Sequence, residues 1–208
     1  MKTHGGKLTW LCLCVCAHVA MLSRTMIQTM KVFGRAMYVV RDDLRIVGID
    51  GVSGNKGRKF QSLLFCAPFP STIVSFGGLQ SNSMLALARI SNKKEARFVY
   101  FVRNNIPPFL RKSPNGNYKA ALDLNMEVVE VDSDLYRNIE AGKLSSGTVD
   151  VASLVQLDLN DRNTMWVPQG GAMMEAEGGI RDLCSDLLEF TKGRKGPWKV
   201  VFCSGTGG

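Results

Sequence analysis

The sequence predicts an α/β protein with two domains and mainly parallel sheets. Short runs of β-branched residues alternate along the chain with longer segments of helical periodicity, an order typical of strands joined by crossover helices. The clearest helix is predicted at Glu175–Thr191, where apolar residues recur at helical spacing at Ile180, Leu183, Cys184 and Leu187. The chain stops at a glycine-rich loop that follows its last predicted strand, so we expect a fold that is incomplete at the C-terminus.

The remaining elements follow from the same patterns. The predicted strands are Ala36–Val40, Thr72–Phe76, Arg97–Val102, Glu127–Val131, Thr164–Val167 and Lys199–Cys203. Further helices are predicted near Lys56–Cys66, Ser81–Ile90, Tyr118–Leu124 and Leu135–Ala141. Most proline and turn residues fall in two loop segments, Asn104–Asn117 and Gly142–Val149.

Composition and charge exclude several classes of protein. The 208 residues, 45% hydrophobic and 21% charged, suit one sizeable core or two small ones and exclude a disordered or collagen-like chain. The net charge of +8 is concentrated at the N-terminus, because residues 1–41 hold six basic and no acidic side chains. After Arg41 there are 20 basic and 18 acidic residues. We therefore expect no nucleic-acid-binding surface on the folded body.

The first 22 residues are predicted to be a targeting segment. Lys2 and Lys7 precede an apolar run over Leu8–Leu22, the pattern of a secretory signal peptide. This run is short for a transmembrane helix, so no stable membrane insertion is expected, and a membrane-anchored protein is the weaker alternative. The acid-free stretch Ser23–Arg41 suits an organellar transit peptide equally well, which leaves a cytoplasmic, organellar or secreted destination open.

No metal site is expected from the cysteines. Three of them form a C-x-C-x-C pattern in the apolar run, without the partner ligands of a zinc site: Cys12, Cys14 and Cys16. The other three are scattered in apolar surroundings and are expected to be buried thiols: Cys66, Cys184 and Cys203.

Lys56 is the first candidate for chemistry. It lies in the segment SGNKGRK at 53–59, where a helix is expected to start, with Arg58 and Lys59 nearby. Neighbouring cations and a positive helix end lower the pKa of an amine and so favour its neutral, nucleophilic form. The alternative is a solvated, basic helix start.

A loop of glycine and serine is the second candidate. Gly77 and Gly78 follow an apolar strand and allow backbone amides to approach a ligand, while Ser81 and Asn82 are expected to cap the next helix. Such a helix start can hold a carboxylate or position a proton donor. An ordinary turn and N-cap is the alternative.

Two further glycine loops follow predicted strands, VPQGG at 167–171 and SGTGG at 204–208. Loops of this kind bind phosphate, and they also simply turn the chain. The order along the chain carries more information than each loop alone, because a lysine, a serine loop and a phosphate-type loop each stand at a junction between secondary-structure elements.

In this order the sequence resembles the N-terminal part of the 1-aminocyclopropane-1-carboxylate (ACC) deaminase / D-cysteine desulfhydrase family. These are pyridoxal 5'-phosphate enzymes of fold type II, with a tryptophan-synthase-β-like fold. The matching segments are RDDL at 41–44, SGNKGRK at 53–59, GGLQSNSMLALA at 77–88, GNYKAALDLNMEVVEV at 116–131, VPQGG at 167–171 and SGTGG at 204–208.

The resemblance implies a role for each matching residue. Lys56 forms a Schiff base with the cofactor, and Asn82 hydrogen-bonds the ring hydroxyl and contacts the substrate. Ser81 contacts the substrate carboxylate or assists proton transfer. Asn55 on the cofactor side and Gln80 on the substrate side line the pocket. The cofactor phosphate is held by five consecutive backbone amides, those of Ser204, Gly205, Thr206, Gly207 and Gly208.

The resemblance also implies an organisation and an activity. Residues 1–31 are a leader or disordered, 32–60 with 162–208 form an incomplete large cofactor domain, and 61–161 form a small domain. A full-length protein is expected to be a homodimer and a lyase or deaminase of a small amino acid. The segment that would choose between D-cysteine and ACC lies beyond Gly208, so this chain alone is expected to be inactive. The alternative is a truncated, non-catalytic remnant of the fold.

Overall fold

A four-stranded parallel sheet forms the centre of the molecule. The computed structural model describes residues 25–45, 47–49, 51–141 and 163–201. The strands are β1 (Ile27–Val32), β2 (Arg35–Val40), β3 (Thr72–Phe76), β4 (Arg97–Arg103), β5 (Met126–Val131) and β6 (Thr164–Val167). In the main sheet the spatial order is β5-β4-β3-β6 and every pair is parallel, which confirms the predicted α/β class with a mainly parallel sheet.

Seven described helices flank these strands. They are α1 (Gly54–Lys59), α2 (Gln61–Leu64), α3 (Asn82–Lys93), α4 (Pro108–Lys112), α5 (Gly116–Leu122), α6 (Ser133–Glu140) and α7 (Glu177–Thr191). Short 3₁₀ turns occur at Asp42–Leu44, Gln169–Gly171 and Met174–Ala176. None of the helices in the described ranges is long and apolar enough to cross a lipid bilayer.

The sheet is covered on both faces, and this explains the apolar, buried run Phe98–Val102 in its central strand β4. All five residues of β3 are buried, as expected for a parallel strand between two layers. One core cluster joins α3 to the face that carries Ile73 and Tyr100. The second joins α6 to the opposite face, which carries Phe76 and Phe101. Because all four strands run the same way, their carboxyl ends lie at one edge of the sheet.

A separate antiparallel hairpin precedes the sheet. Strands β1 and β2 pair from Ile27 with Val40 to Val32 with Arg35, so residues 27–31 of the predicted leader segment take part in regular structure. The Tyr38 ring lies 5.0 Å from the ring of Phe190 on α7 and 5.7 Å from that of Trp198, centroid to centroid. These aromatic contacts dock the hairpin on α7.

Some boundaries differ from those predicted. The helix expected over Lys56–Cys66 breaks at Phe60 into α1 and α2. The segment Asn104–Asn117 is not all loop, because it contains α4, which has Pro108 in its first turn, and the start of α5. The predicted helix Glu175–Thr191 begins at Glu177, after a 3₁₀ turn.

The prediction of a final strand at Lys199–Cys203 is wrong for its described part. Residues 195–201 form no regular structure, and the side chains of Val200 and Val201 are 61% and 83% exposed. In the part of the chain that the structure describes, no strand lies beside them to pair with their backbone. Phe202, Cys203 and the loop Gly142–Val149 lie outside the described residues.

Two cysteines are also less buried than expected. Cys66 is half-buried and Cys184, on α7, is exposed. Across the described ranges, no group of three or more His, Cys, Asp or Glu side chains could hold a metal ion.

Candidate functional site

Lys56 lies in the middle of the short helix α1 and points to a backbone carbonyl that is far away in sequence. Its Nζ donates a hydrogen bond to the Gly170 carbonyl oxygen at 2.9 Å, and Lys59 Nζ reaches the same oxygen at 3.3 Å. Gly170 is in the left-handed region at φ 72°, within the 3₁₀ turn that follows β6. The VPQGG segment therefore meets the SGNKGRK segment at the Lys56 amine.

The environment of Lys56 favours its neutral form. Burial lowers the pKa of the Lys56 amine, and the positive charge of Lys59 lowers that pKa further. The predicted direction of this shift is confirmed. The expectation that Arg58 contributes is wrong, because its guanidinium turns away from Lys56 and pairs with Asp42.

The ion pair between Arg58 and Asp42 anchors α1, the helix that carries Lys56. Arg58 is only 1% exposed, and its Nε and Nη2 donate to the two carboxylate oxygens of Asp42, both at 2.6 Å. Asp42 belongs to the RDDL segment, so the two matching segments are joined by a bidentate ion pair. On the other side, α7 approaches α1 so closely that a Cβ at Gly179 would overlap the carbonyl oxygen of Arg58.

The serine loop, Gly77–Ser81, is supported by a tyrosine that sequence reasoning missed. Tyr100 on β4 is 1% exposed, and its hydroxyl donates to the Gly78 carbonyl at 3.3 Å. Gly77 has φ +148°, and a Cβ there would stand 2.5 Å from the Tyr100 oxygen. Only glycine fits this position. The sequence analysis placed Tyr100 within the predicted strand Arg97–Val102 and gave it no role of its own.

Ser81 is the N-cap of α3, as predicted. Its Oγ accepts hydrogen bonds from the backbone N–H groups of Ser83 and Met84, at 3.2 and 3.3 Å. Burial raises the pKa of the Tyr100 hydroxyl, and a hydrogen bond with the Ser81 side chain opposes that rise. A serine hydroxyl has two acceptor lone pairs and one donor. With both lone pairs used by the cap, the Ser81 O–H is the donor of its hydrogen bond with the Tyr100 oxygen.

Gln80 and Asn82 are tied to the start of α5. The Asn117 side-chain amide donates to Asn82 Oδ1 at 2.8 Å and to the Gln80 carbonyl at 3.0 Å. Gln80 Oε1 accepts from the Asn117 backbone N–H at 3.0 Å. Asn117 is thus a second supporting residue that the sequence analysis did not single out. Its signal was present in the matching segment GNYKAALDLNMEVVEV.

The lysine helix and the serine loop converge on the Gln169–Gly171 turn. Lys56 bonds to Gly170, while the Gln169 side chain lies beside Gly77. No direct hydrogen bond joins Lys56 to Ser81 among the described contacts. Asn55 is exposed beside Lys56 on α1. The predicted phosphate loop lies outside the described residues: Ser204, Gly205, Thr206, Gly207 and Gly208.

A cavity of about 390 Å³ opens beside the serine loop at the carboxyl edge of the sheet. One wall of the cavity consists of Gly77–Gln80 and Gln169. The far end of the cavity is formed by Arg103, Tyr136 and Glu140. Ligands of open α/β sheets bind at this edge. The cavity has the size that a small metabolite needs, and the described residues that line it include the serine loop from Gly77 to Gln80 but neither Lys56 nor Ser81.

Comparison with known proteins concerns the sequence and the fold of the chain. No family model matches the chain. A curated protein of Thermotoga maritima named "Putative 1-aminocyclopropane-1-carboxylate deaminase" is 38% identical over 111 residues, which are 52% of this chain and 33% of that protein. The crystal structure of an ACC deaminase homologue aligns with a TM-score of 0.60 at 22% identity, covering 83% of this chain and 50% of its own.

A third match is more distant. The crystal structure of a pyridoxal 5'-phosphate-dependent aspartate racemase aligns at 17% identity over 81% of this chain and 46% of its own, with a TM-score of 0.48 that is too low to support an argument. This chain spans half or less of the length of these three proteins. The identity to the curated relative and the fold shared with the deaminase homologue confirm the resemblance that the segments indicated: this chain is similar to part of an ACC deaminase-type protein.

Proposed function

We propose that the complete protein is a pyridoxal-phosphate-dependent lyase or deaminase of a small amino acid, with Lys56 as the residue that carries the cofactor. The observation that supports this most is the half-buried Lys56 amine, whose pKa is lowered and whose described hydrogen-bond partner is a backbone carbonyl and not a carboxylate. A lowered pKa leaves a larger neutral fraction of this amine at a given pH, and the neutral amine is the nucleophile for an aldehyde. The residues present therefore fit the cofactor.

The other residues fit this proposal in complementary ways. The Ser81 O–H, the one donor that the helix cap leaves, would turn from the Tyr100 oxygen to hold the substrate carboxylate. Asn82, fixed by Asn117, would bond the cofactor's ring hydroxyl. When bound, the pyridoxal ring supplies an electron sink for the substrate's α carbon. Lys56, once released from the cofactor, would move a proton at the α or β carbon.

Two substrates remain candidates for the complete protein. With D-cysteine, water is consumed and the products are hydrogen sulfide, pyruvate and ammonia. With ACC, the ring opens, water is consumed, and the products are 2-oxobutanoate and ammonia. We propose the desulfhydrase as the leading version, because ring opening demands a more specialised pocket. The proposal includes a homodimer, with the cofactor between residues 61–161 and the domain formed by 32–60 and 162–208.

Cofactor capture tests the proposal. The purified chain is incubated with pyridoxal phosphate, reduced with borohydride, and mapped by peptide mass spectrometry. We expect one dominant adduct, on Lys56. In Lys56→Arg the adduct should be lost, whereas in the matched control Lys59→Arg it should persist, because Lys59 is the neighbour and not the carrier. Labelling that is spread over surface lysines, or that is unchanged in Lys56→Arg, would instead favour a non-catalytic remnant of the fold.

The pH dependence of labelling gives a second readout. Because the pKa of Lys56 is lowered, a larger fraction of its amine is neutral at a given pH than in an unfolded chain. Labelling of Lys56 should therefore persist to lower pH than labelling of the same lysine in an unstructured peptide of residues 53–59. Identical pH profiles would show that the fold does not activate the amine.

A further inference from the structure

The far end of the cavity holds an arginine whose position follows from the sheet. Gly77, at the start of the serine loop, donates its N–H to the Phe101 carbonyl at 3.2 Å. Arg103 lies two residues beyond Phe101, at the end of β4 and on the same face of the sheet. Both the loop and Arg103 line the 390 Å³ cavity. The cavity thus runs from the proposed substrate loop to a guanidinium group.

Arg103 is held in place but retains hydrogen-bonding capacity. Its guanidinium carbon lies 4.7 Å from the centroid of the Tyr136 ring, in a cation–π contact. Its Nη2 lies 3.4 Å from Glu140 Oε2, a long ion pair between side chains that are 49% and 36% exposed. A guanidinium has five N–H donors. One long contact therefore leaves most of them available to a ligand in the cavity.

We infer that Arg103 makes the far end of this cavity a subsite for an anionic side-chain group of the substrate. This inference rests on the proposed function and deepens it, because it names the substrate class: small amino acids whose side chain ends in a thiolate or a carboxylate. The ring of ACC carries no such group. Tyr136 holds the plane of the guanidinium, and Glu140 competes with the ligand for it.

The inference has a chemical consequence for the desulfhydrase version. There the proton on the α carbon passes to Lys56, the thiolate regains a proton as the C–S bond breaks, and the electron pair of that bond leaves on sulfur as hydrosulfide, which then takes a further proton. No oxidant or reductant is needed. A guanidinium near the departing sulfur stabilises the charge that develops on it. Arg103 would therefore favour elimination of sulfide over opening of an uncharged ring.

Binding measurements on the purified chain test the subsite without requiring activity. D-Aspartate and D-asparagine have nearly the same shape and differ in side-chain charge, so the ratio of their dissociation constants reports the subsite. D-Cysteine and D-serine, compared below and above the thiol pKa of about 8.5, report a thiolate. We expect the anionic member of each pair to bind at least fivefold more tightly. Preference in only one pair identifies which anion the subsite accepts.

Three variants make the test specific. Arg103→Gln should abolish the preference for the anion, whereas Glu140→Gln should increase it, because the competing carboxylate is gone. Arg97→Gln is the matched control, since Arg97 lies at the opposite end of the same strand and pairs with Glu127. An unchanged preference in Arg103→Gln, or a decrease in Glu140→Gln, would overturn the inference.

The two proposals fail in different ways. If Lys56 captures no cofactor but the anion preference still depends on Arg103, the enzyme proposal fails and the anion subsite stands. If Lys56 captures the cofactor but binding of the anion does not depend on Arg103, the subsite fails and the enzyme proposal stands.

Discussion

The hydrogen-bond partners of the Ser81 hydroxyl fix its orientation. Two backbone amides occupy its lone pairs, and Tyr100 stands beside it with a hydroxyl that burial keeps protonated. Tyr100 also fixes the Gly78 carbonyl. The serine loop, Gly77–Ser81, is thus attached to the central strand β4 through the Tyr100 hydroxyl.

Removal of that phenol oxygen should loosen the loop without unfolding the protein. In Tyr100→Phe the Gly78 carbonyl loses its donor, and we expect the free energy of unfolding to fall by about 1 kcal/mol. Backbone amides of residues 77–81 should exchange with solvent faster. Hydrogen exchange followed by mass spectrometry checks this. Tyr136→Phe is the control, because it removes a tyrosine hydroxyl elsewhere on the cavity wall, and equal exchange in the two variants would contradict the role of Tyr100.

At the scale of elements, α1 is too short to be stable alone and depends on its contacts. Asp42→Asn breaks the bidentate pair and leaves the guanidinium of Arg58 buried without its counterion. We expect the free energy of unfolding to fall by roughly 3 kcal/mol. Asp43→Asn is the matched control, since Asp43 pairs with Arg41 at the exposed surface and should change stability little. Urea unfolding distinguishes them, and equal midpoints would refute the anchoring role.

The contact between α1 and α7 makes a second prediction. Gly179→Ala places a methyl group against the Arg58 carbonyl, and since backbone cannot rotate away, we expect a loss of about 3 kcal/mol. At the neighbouring position, the added Cβ of Gly178→Ala would lie an ordinary 3.5 Å from the Ser62 hydroxyl. That variant should be neutral or gain up to about 1 kcal/mol, because alanine favours helix. Thermal unfolding of the two variants measures the difference, and similar melting temperatures would contradict the close approach.

The sequence predicted secondary structure well where a local pattern of residues determines it. β3 and β6 were predicted to the residue, since each is a short run of mostly β-branched and aromatic residues. The hairpin was missed because β1 lies in an acid-free stretch that also suits a transit peptide. Tyr100 and Asn117 could not be found by pattern alone, because their roles depend on which loops the topology brings together.

At the scale of the whole molecule, stability should be graded between the sheet and the hairpin. β3 is wholly buried between two core layers, whereas most residues of β1 and β2 are exposed, and the Phe33 side chain at the turn is fully so. A two-stranded hairpin is marginally stable without further packing. We expect amides of residues 73–76 and 98–102 to exchange slowest and those of 27–40 to exchange orders of magnitude faster. Equal protection, measured by hydrogen exchange, would contradict this order.

The parallel direction of the four strands has a consequence for how the protein can change. Gly77, Arg103 and the Gln169–Gly171 turn all stand at the carboxyl edge, so the contacts that they would make with a ligand draw on that edge. The opposite edge, where Arg97 pairs with Glu127, carries none of them. We expect substitutions and short insertions at this opposite edge to leave ligand binding unchanged. At the carboxyl edge, one or two changed side chains can alter the specificity for a ligand while the sheet that holds them stays the same.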